Sequence, residues 1–324
     1  MNSTCGALLN STLSGISGGN LTIFAPTDKA WFDTFDMTNF EDFSGLNCTD
    51  DYNSTIMDCY DIFSSNTSSI PIADLAQCLP MLSLYHISPQ RFDNLSNYTG
   101  RANVTVISSA LDIRKLILRH ASEHNSTHGA MRSHIAAFNV PQVIVANTTS
   151  QESMLTGGAA SNASIINTYQ ANDGRLYLIN RVLTPPLPLN STISALNLNN
   201  TQNSTEISSF STRGNITVFY PVGLFNETPD LASLTLPGIF YLNMTNSTSA
   251  NLTTFAGNPV FIEYGGNTTA LLNHNVSVVQ PNIPLNNGVL HLVNGTIGAF
   301  NVSNTFAAQA LRSNMNMWVR WLRQ

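Results

Sequence analysis

Charged side chains are scarce in this 324-residue chain, since Asp, Glu, Lys and Arg make up only 10% of it while apolar residues make up 43%. The formal net charge is -6. No basic surface is therefore available to neutralise phosphates, and we predict that nucleic acid is not a partner. No apolar run reaches the roughly 18 residues that span a bilayer. Membrane attachment, if the protein has it, is expected through a segment that is not in this sequence.

Few of the short motifs that mark common catalytic sites are present. G-x-S-x-G occurs at residues 15–19, but the segment after it reads as a strand and not as the helix that follows a serine nucleophile. The glycine pairs at 157–158 and 265–266 lack the lysine and the helix start of a phosphate-binding loop. Asp and Glu together number only 19, and no acid–base pair is indicated. We therefore predict that the protein is not an enzyme and that it needs no cofactor.

Asparagine followed by x-Ser or x-Thr is the most abundant signal in the chain. The triplet occurs 24 times, about three times as often as chance would give. Glycans are bulky and solvating, so a chain that carries many of them needs few charges and passes through the secretory pathway. We expect a secreted or cell-surface protein. The acceptor positions singled out for glycosylation are Asn20, Asn94, Asn97, Asn103, Asn215, Asn243, Asn246, Asn251 and Asn267.

Four cysteines lie in the first quarter of the chain, at Cys5, Cys48, Cys59 and Cys78. An even number in an apparently secreted chain favours two disulfides, and three pairings are possible. The pairing we favour joins Cys48 to Cys59 across a short loop and Cys5 to Cys78. No C-x-x-C is present, so the spacing does not suggest a zinc site.

Two segments of the chain occur twice. Residues 19–26 align without a gap to residues 214–221, and residues 172–183 match residues 286–297. The first segment reads as a short strand that ends at a proline, after which Thr27 or Asp28 would cap a helix. The second reads as a turn followed by a strand that is buried on both faces. The proline-rich stretch 185–188 cannot extend a sheet and is predicted to link the two copies.

Four stretches resemble the fasciclin domain family. Residues 24–31 read F-A-P-T-D-K-A-W, residues 82–89 place a Tyr-His pair after a leucine-rich helix, and residues 173–186 and 287–297 follow the family's closing pattern. Residues 275–283 are similar to its entry strand. The resemblance implies an α+β fold with two fasciclin-like domains, each a twisted β-sheet wedge with several short α-helices packed at one side.

The two copies differ in length. We predict a first domain over residues 1–186, with insertions at about 36–70 and 113–156. A shortened, divergent second domain follows over residues 187–300, and residues 301–324 form a C-terminal tail.

The family's Tyr-His neighbourhood is associated with adhesion, which implies Tyr85 and His86 as contacts for a cell-surface receptor. The alternative for His86 is a core histidine whose ring bridges two backbone segments. In the second copy, Leu242 stands where the histidine would be, so a function that depends on this histidine would be lost there.

A separate histidine series recurs every four residues, at His120, His124 and His128, with His134 nearby. On a helix this spacing places imidazoles on successive turns, as divalent metals prefer. The alternative is a solvated insertion, because Gly129 weakens a helix.

These features lead to two hypotheses. The first is a glycosylated extracellular protein that acts in cell adhesion or in matrix or cell-wall association, with a receptor, polysaccharide or protein as partner. The second is a surface or lumenal module that binds a ligand or metal through the histidine-rich insertion.

Overall fold

The computed structural model of the chain describes residues 20–35, 59, 72–93, 95, 103–111, 142–148, 153–171, 174–198, 204–222, 230–242, 250–264 and 270–297. No helix in these ranges is long and apolar enough to cross a membrane.

The elements fall into two successive sets. The first comprises β1 (Leu21–Pro26), α1 (Asp28–Phe35), α2 (Ile72–Tyr85), β2 (Ile87–Ser88), β3 (Asn103–Ser108), β4 (Val143–Thr148), β5 (Ser153–Thr156), a 3-10 turn (Gly158–Ala160), β6 (Asn162–Ala171) and β7 (Gly174–Ile179). The second comprises α3 (Leu189–Ala195), α4 (Ser204–Ser211), β8 (Ile216–Pro221), α5 (Leu231–Leu234), β9 (Thr235–Pro237), β10 (Ala250–Thr253), β11 (Pro259–Tyr264), β12 (Ala270–Leu272), β13 (Val276–Leu285) and β14 (Gly288–Val293).

Each set forms its own seven-stranded mixed sheet, and the two sheets have the same strand order. The first runs β2-β1-β7-β6-β5-β4-β3, and the second, read in the same direction, runs β9-β8-β14-β13-β12-β11-β10. In both, the second and third strands from one edge are parallel, β1 with β7 and β8 with β14. The other neighbours are antiparallel. The repeated segments found in the sequence are therefore this parallel pair, and the shortened second copy keeps the full strand order.

Strands dominate both domains. Among the described residues, helices are fewer than expected for the predicted wedge with several helices at one side. The range 113–156, predicted as an insertion, also needs correction. It contains β4 and β5, which pair with β3 and β6 inside the first sheet. Residues 143–148 and 153–156 are thus part of the domain, because their alternating and apolar side chains supply its core.

Thr27 caps the N-terminus of helix α1, which follows β1. Its Oγ1 accepts a hydrogen bond from the Ala30 backbone N–H at 3.2 Å, which resolves the choice between Thr27 and Asp28. On β1 itself, Thr22 and Phe24 are the fully buried residues, while Leu21 and Ile23 are only partly buried.

Gly174 and Gly288 begin the closing strands, and both lie against the backbone of the parallel neighbour. A Cβ on Gly174 would lie 2.5 Å from the Leu21 carbonyl oxygen, and one on Gly288 would overlap the carbonyl oxygen of Ile216. Neither glycine has a positive φ, and Gly288 already pairs with Leu285 in the ladder. The tight hairpin turn expected here is present at residues 286–287, but Gly288 is the first strand residue after it, and close strand approach is what requires glycine there.

The disulfide that the structure describes joins Cys59 to Cys78, with Cα atoms 5.6 Å apart. The favoured pairings of Cys48 with Cys59 and of Cys5 with Cys78 are therefore wrong. Sequence spacing favoured a short loop, whereas the fold brings Cys59 against helix α2. Both cysteines are buried in the first core. Cys5 and Cys48 lie outside the described residues.

Candidate functional site

His86 follows helix α2 and joins two backbone segments. Its Nδ1–H donates to the Leu82 carbonyl at 2.7 Å, within the last turn of the helix. Its Nε2 accepts from the Leu183 backbone N–H at 3.0 Å, after strand β7. These partners assign the tautomer, since a carbonyl can only accept and an N–H can only donate. The interpretation of His86 as a core histidine that bridges two segments is confirmed.

This arrangement requires a neutral imidazole, because Nε2 must keep a free lone pair for Leu183. His86 is only 4% exposed. Burial lowers its pKa from 6.5 to about 4, and the hydrogen bond to Leu82 opposes that shift. At neutral pH, therefore, His86 is an uncharged structural clamp.

Tyr85 lies in the same core. Its side chain is fully buried, and its hydroxyl donates to the Val143 carbonyl at 2.6 Å. The hydroxyl thereby fastens α2 to the start of β4. With both side chains buried, neither Tyr85 nor His86 offers a surface that a receptor could touch while the domain is folded. The adhesive role implied by resemblance has no accessible side chain at this pair.

The second domain has a buried histidine clamp at a different point in the chain. His291 lies in the middle of β14 and is fully buried. Its Nδ1 accepts from the Asn282 N–H at 3.0 Å, and its Nε2–H donates to the Phe240 carbonyl at 3.0 Å. Burial again lowers the pKa to about 4. The proton therefore sits on Nε2, whereas in His86 it sits on Nδ1.

His291 occupies the position of Tyr177 in the first domain. The parallel registers pair Tyr177 with Phe24 and His291 with Phe219. The paired rings stack in both domains, with centroids 5.8 Å apart in the first and 5.2 Å apart in the second. The Tyr177 hydroxyl donates to the Phe92 carbonyl at 2.5 Å, as His291 does to Phe240. The matching backbone carbonyls of Phe92 and Phe240 are thus bound by a tyrosine in the first domain and by a histidine in the second.

In each domain, a threonine binds the backbone N–H of the same phenylalanine whose carbonyl accepts from Tyr177 or His291. Thr22 Oγ1 accepts from the Phe92 N–H at 2.9 Å, and Thr217 Oγ1 accepts from the Phe240 N–H at 2.9 Å. Both threonines are fully buried. The segments that contain Phe92 and Phe240 are therefore held through both N–H and C=O groups, which leaves no backbone group of these residues unsatisfied.

The sequence carried a signal for His291, which stands three residues after Gly288 in a closing strand predicted to be buried on both faces. The expectation that Leu242 takes the place of His86 is wrong, because the registers of β2 with β1 and of β9 with β8 put Leu234 at the position of His86. Leu242 is buried, and its backbone is held by the Asn282 side chain through bonds of 2.7 and 2.9 Å.

Asp93, next to Phe92 in the first domain, forms ion pairs with two arginines. Asp93 accepts from Arg91 at 2.7 Å and from Arg175 at 3.1 Å, and the hydrogen bond from Arg91 contributes most to lowering the pKa of Asp93. Because the Asp93 side chain is nearly half exposed, water screens these pairs and their contribution to stability is small.

None of the acceptor asparagines whose side chains the structure describes is buried. The exposed ones with described side chains are Asn20, Asn190, Asn215, Asn251, Asn275 and Asn294, and Asn147 and Asn162 are partly buried. The buried asparagines in the described ranges, Asn282, Asn286 and Asn287, each lie outside an acceptor triplet. Asn20 and Asn215 hold matched positions, directly before β1 and β8.

Several predicted site residues lie outside the described residues. These are His120, His124, His128, Asn94, Asn97, Asn243, Asn246 and Asn267, together with the side chain of Asn103. In the described ranges, no group of three His, Cys, Asp or Glu side chains is placed to hold a metal. Metal binding by the histidine series stays a prediction.

Comparison with models of known protein families finds none that matches the chain, and comparison with curated proteins finds no match either. Among solved structures, the chain is similar to a FAS1 domain pair from the insect cell adhesion molecule fasciclin I. That similarity covers 90% of this chain and 92% of the other, with 13% sequence identity and a TM-score of 0.32. The fold described above rests on the strands and hydrogen bonds of this chain.

Proposed function

We propose that this chain is an extracellular, heavily N-glycosylated, fasciclin-like protein that acts in cell adhesion or in matrix or cell-wall association. The observation that carries the proposal is the distribution of asparagine. The described asparagines of acceptor triplets are exposed or partly buried, while the buried asparagines of the described core lie outside such triplets. A glycan is too large and too polar for a core, so this division is what a glycosylated fold requires.

The matched pair Asn20 and Asn215 adds support. Each is exposed, and each precedes a strand whose second residue is a buried threonine, Thr22 or Thr217. That threonine serves the fold through its bond to the backbone of Phe92 or Phe240. It also completes the acceptor triplet. A glycan at either asparagine would therefore extend from the rim of a sheet without disturbing the core.

The disulfide between Cys59 and Cys78 supports an oxidising compartment, because such bonds are rare in the cytosol. The partner is a receptor, polysaccharide or protein that meets the exposed protein surface and its glycans. Since Tyr85 and His86 are buried, we place the contact elsewhere on the surface.

Glycosylation is tested by expressing the chain through a eukaryotic secretory pathway and measuring intact mass before and after enzymatic removal of N-glycans. Asn20→Gln and Asn215→Gln should each remove one glycan mass. Asn167→Gln changes an exposed asparagine outside an acceptor triplet and is the matched control. A secreted protein whose mass is unaffected by deglycosylation would overturn the proposal.

Adhesion is tested by immobilising the secreted protein and measuring retention of cells or of wall polysaccharide. We expect retention that persists in Tyr85→Phe, which keeps the buried ring and removes only its hydroxyl. Retention equal to that on a surface coated with an unrelated glycoprotein would refute the adhesive role and leave the glycosylation result standing.

A further inference from the structure

The two domains are joined by a buried connector. Pro185 and Pro186 are buried, which is unlike an exposed proline-rich linker. The Leu187 side chain belongs to the first core and the Leu189 side chain to the second, and both are fully buried. Only Pro188 separates the two anchors, so the connector has no slack for one domain to rotate about the other.

The connector also pairs with the second domain. Leu187 forms an isolated parallel bridge with Leu285 at the end of β13. The Asn286 N–H donates to the Leu187 carbonyl at 3.1 Å. The connector is thus tied to the hairpin between β13 and β14.

Residues 157–161 hold the other side of the connector, and we call this segment the docking corner. The Gly158 N–H donates to the Thr184 carbonyl at 2.7 Å, and the Thr184 hydroxyl donates to the Gly158 carbonyl at 2.6 Å. A Cβ on Gly158 would overlap the carbonyl oxygen of Pro185. The corner therefore presses directly on the connector backbone, which only glycine permits.

The docking corner also reaches the second core. Ala160 is partly buried against the core cluster that contains Ile283 and Leu285. Ala159 and Ala160 have φ values of 49° and 55°, a region that costs a residue with a Cβ roughly 1 kcal/mol. Two successive alanines keep this conformation where surrounding contacts determine it, and at Ala160 those contacts come from the second domain.

We infer that the docking corner and the buried connector lock the two domains into one rigid body that unfolds as a unit. Domains within a chain otherwise move by default. The lock fixes the separation of Asn20 and Asn215, the matched glycan acceptors. The second domain does not repeat the corner: β12 passes to β13 through a turn at 273–275, which ends in the exposed acceptor Asn275.

The test combines small-angle scattering, calorimetry and amide hydrogen exchange on the secreted full chain. The wild-type protein should show one thermal transition and scattering that fits a single arrangement. Ala160→Asp places a charge against the second core, while Asp tolerates the positive φ at this position. We expect it to split the transition in two and to speed exchange of the Asn286 amide by about tenfold or more.

Ala256→Asp makes the same change at an exposed alanine of the second domain and should leave all three measurements unchanged. Slow Asn286 exchange and a single transition in a folded Ala160→Asp would overturn the inference. The wild-type protein decides the matter even if Ala160→Asp fails to fold. Two separate wild-type transitions, or scattering that requires a mobile ensemble, would contradict a rigid pair.

Discussion

The two domains share a strand order but place their buried histidine differently. In the first, His86 lies at the end of a helix and holds Leu183, while Tyr177 holds the Phe92 segment. In the second, His291 takes the position of Tyr177 and holds the matching Phe240 segment. What the fold requires is a donor at that backbone carbonyl, and two chemically different side chains supply it.

The domains also differ at the turn before the closing strand. The Asn287 side chain is fully buried, and its Nδ2 donates to three carbonyls at the end of α4, with distances of 2.9 Å to Phe210, 3.2 Å to Ser211 and 2.6 Å to Arg213. It thus caps the C-terminus of that helix. The first domain carries Asp173 at the matching position, which lies outside the described residues.

The largest expected effect comes from giving the second domain the residue of the first. Asn287→Asp replaces a donor to three carbonyls with a buried carboxylate that faces them. We expect a loss of about 3 to 5 kcal/mol in the free energy of unfolding, from the unpaired buried charge and the lost helix cap. Equilibrium urea unfolding, followed by circular dichroism, measures it.

Asn197→Asp is the control for this change, because Asn197 is exposed and its φ of 51° suits Asp as well as Asn. It should shift the free energy by less than about 0.5 kcal/mol. Equal midpoints for the two variants would show that Asn287 does not cap the helix in solution.

The second prediction compares the two glycines that face a parallel strand. Gly288→Ala should destabilise the protein by about 3 kcal/mol, because the added methyl overlaps the Ile216 carbonyl oxygen and forces β8 and β14 apart. Gly174→Ala should cost less, since its Cβ lies 2.5 Å from the Leu21 carbonyl oxygen.

Gly295→Ala provides the matched control, as its Cβ would lie 3.5 Å from Val276 Cγ2, an ordinary contact. The substitution also keeps the acceptor triplet at Asn294. Urea midpoints that rank Gly295→Ala with Gly288→Ala would reject close strand approach as the reason for glycine.

The third prediction concerns stability at low pH, which the two buried histidines should lower to the same extent. His86 and His291 each have a folded pKa of about 4, below the ordinary 6.5. Between these values the unfolded chain binds more protons, so stability falls as the pH falls. Lowering the pH from 7 to 5 should cost about 2 kcal/mol for each histidine.

Unfolding curves at several pH values test this, with the double variant His86→Gln and His291→Gln as control. The double variant is less stable at pH 7, because it loses buried hydrogen bonds, but its stability should depend less on pH in this window. A pH dependence identical to that of the wild type would assign the acid response to carboxylates instead.

Sequence patterns predicted the strands of the repeated segments, the capped corner and two domains, because these depend on local signals such as Pro26 and Thr27. They did not predict the parallel pairing of those strands, the disulfide of Cys59 with Cys78 or the close approach of Gly288 to β8. These depend on which distant segments meet in three dimensions. The same limit hid the equivalence of Tyr177 and His291, which becomes visible only when the registers with β1 and β8 are known.

The smallest expected effect tests the corners after the first strand of each domain. The backbone N–H of Thr27 donates to Ile179 at 3.1 Å, and that of Val222 donates to Val293 at 2.8 Å, so the two positions match. The Thr27 side chain offers an oxygen to the N-terminus of α1, whereas the Val222 side chain has none to offer. Thr27→Ala should therefore cost about 1 kcal/mol, and Thr27→Ser, which keeps the oxygen, close to nothing. If urea unfolding finds both variants as stable as the wild type, Thr27 does not cap α1 in solution.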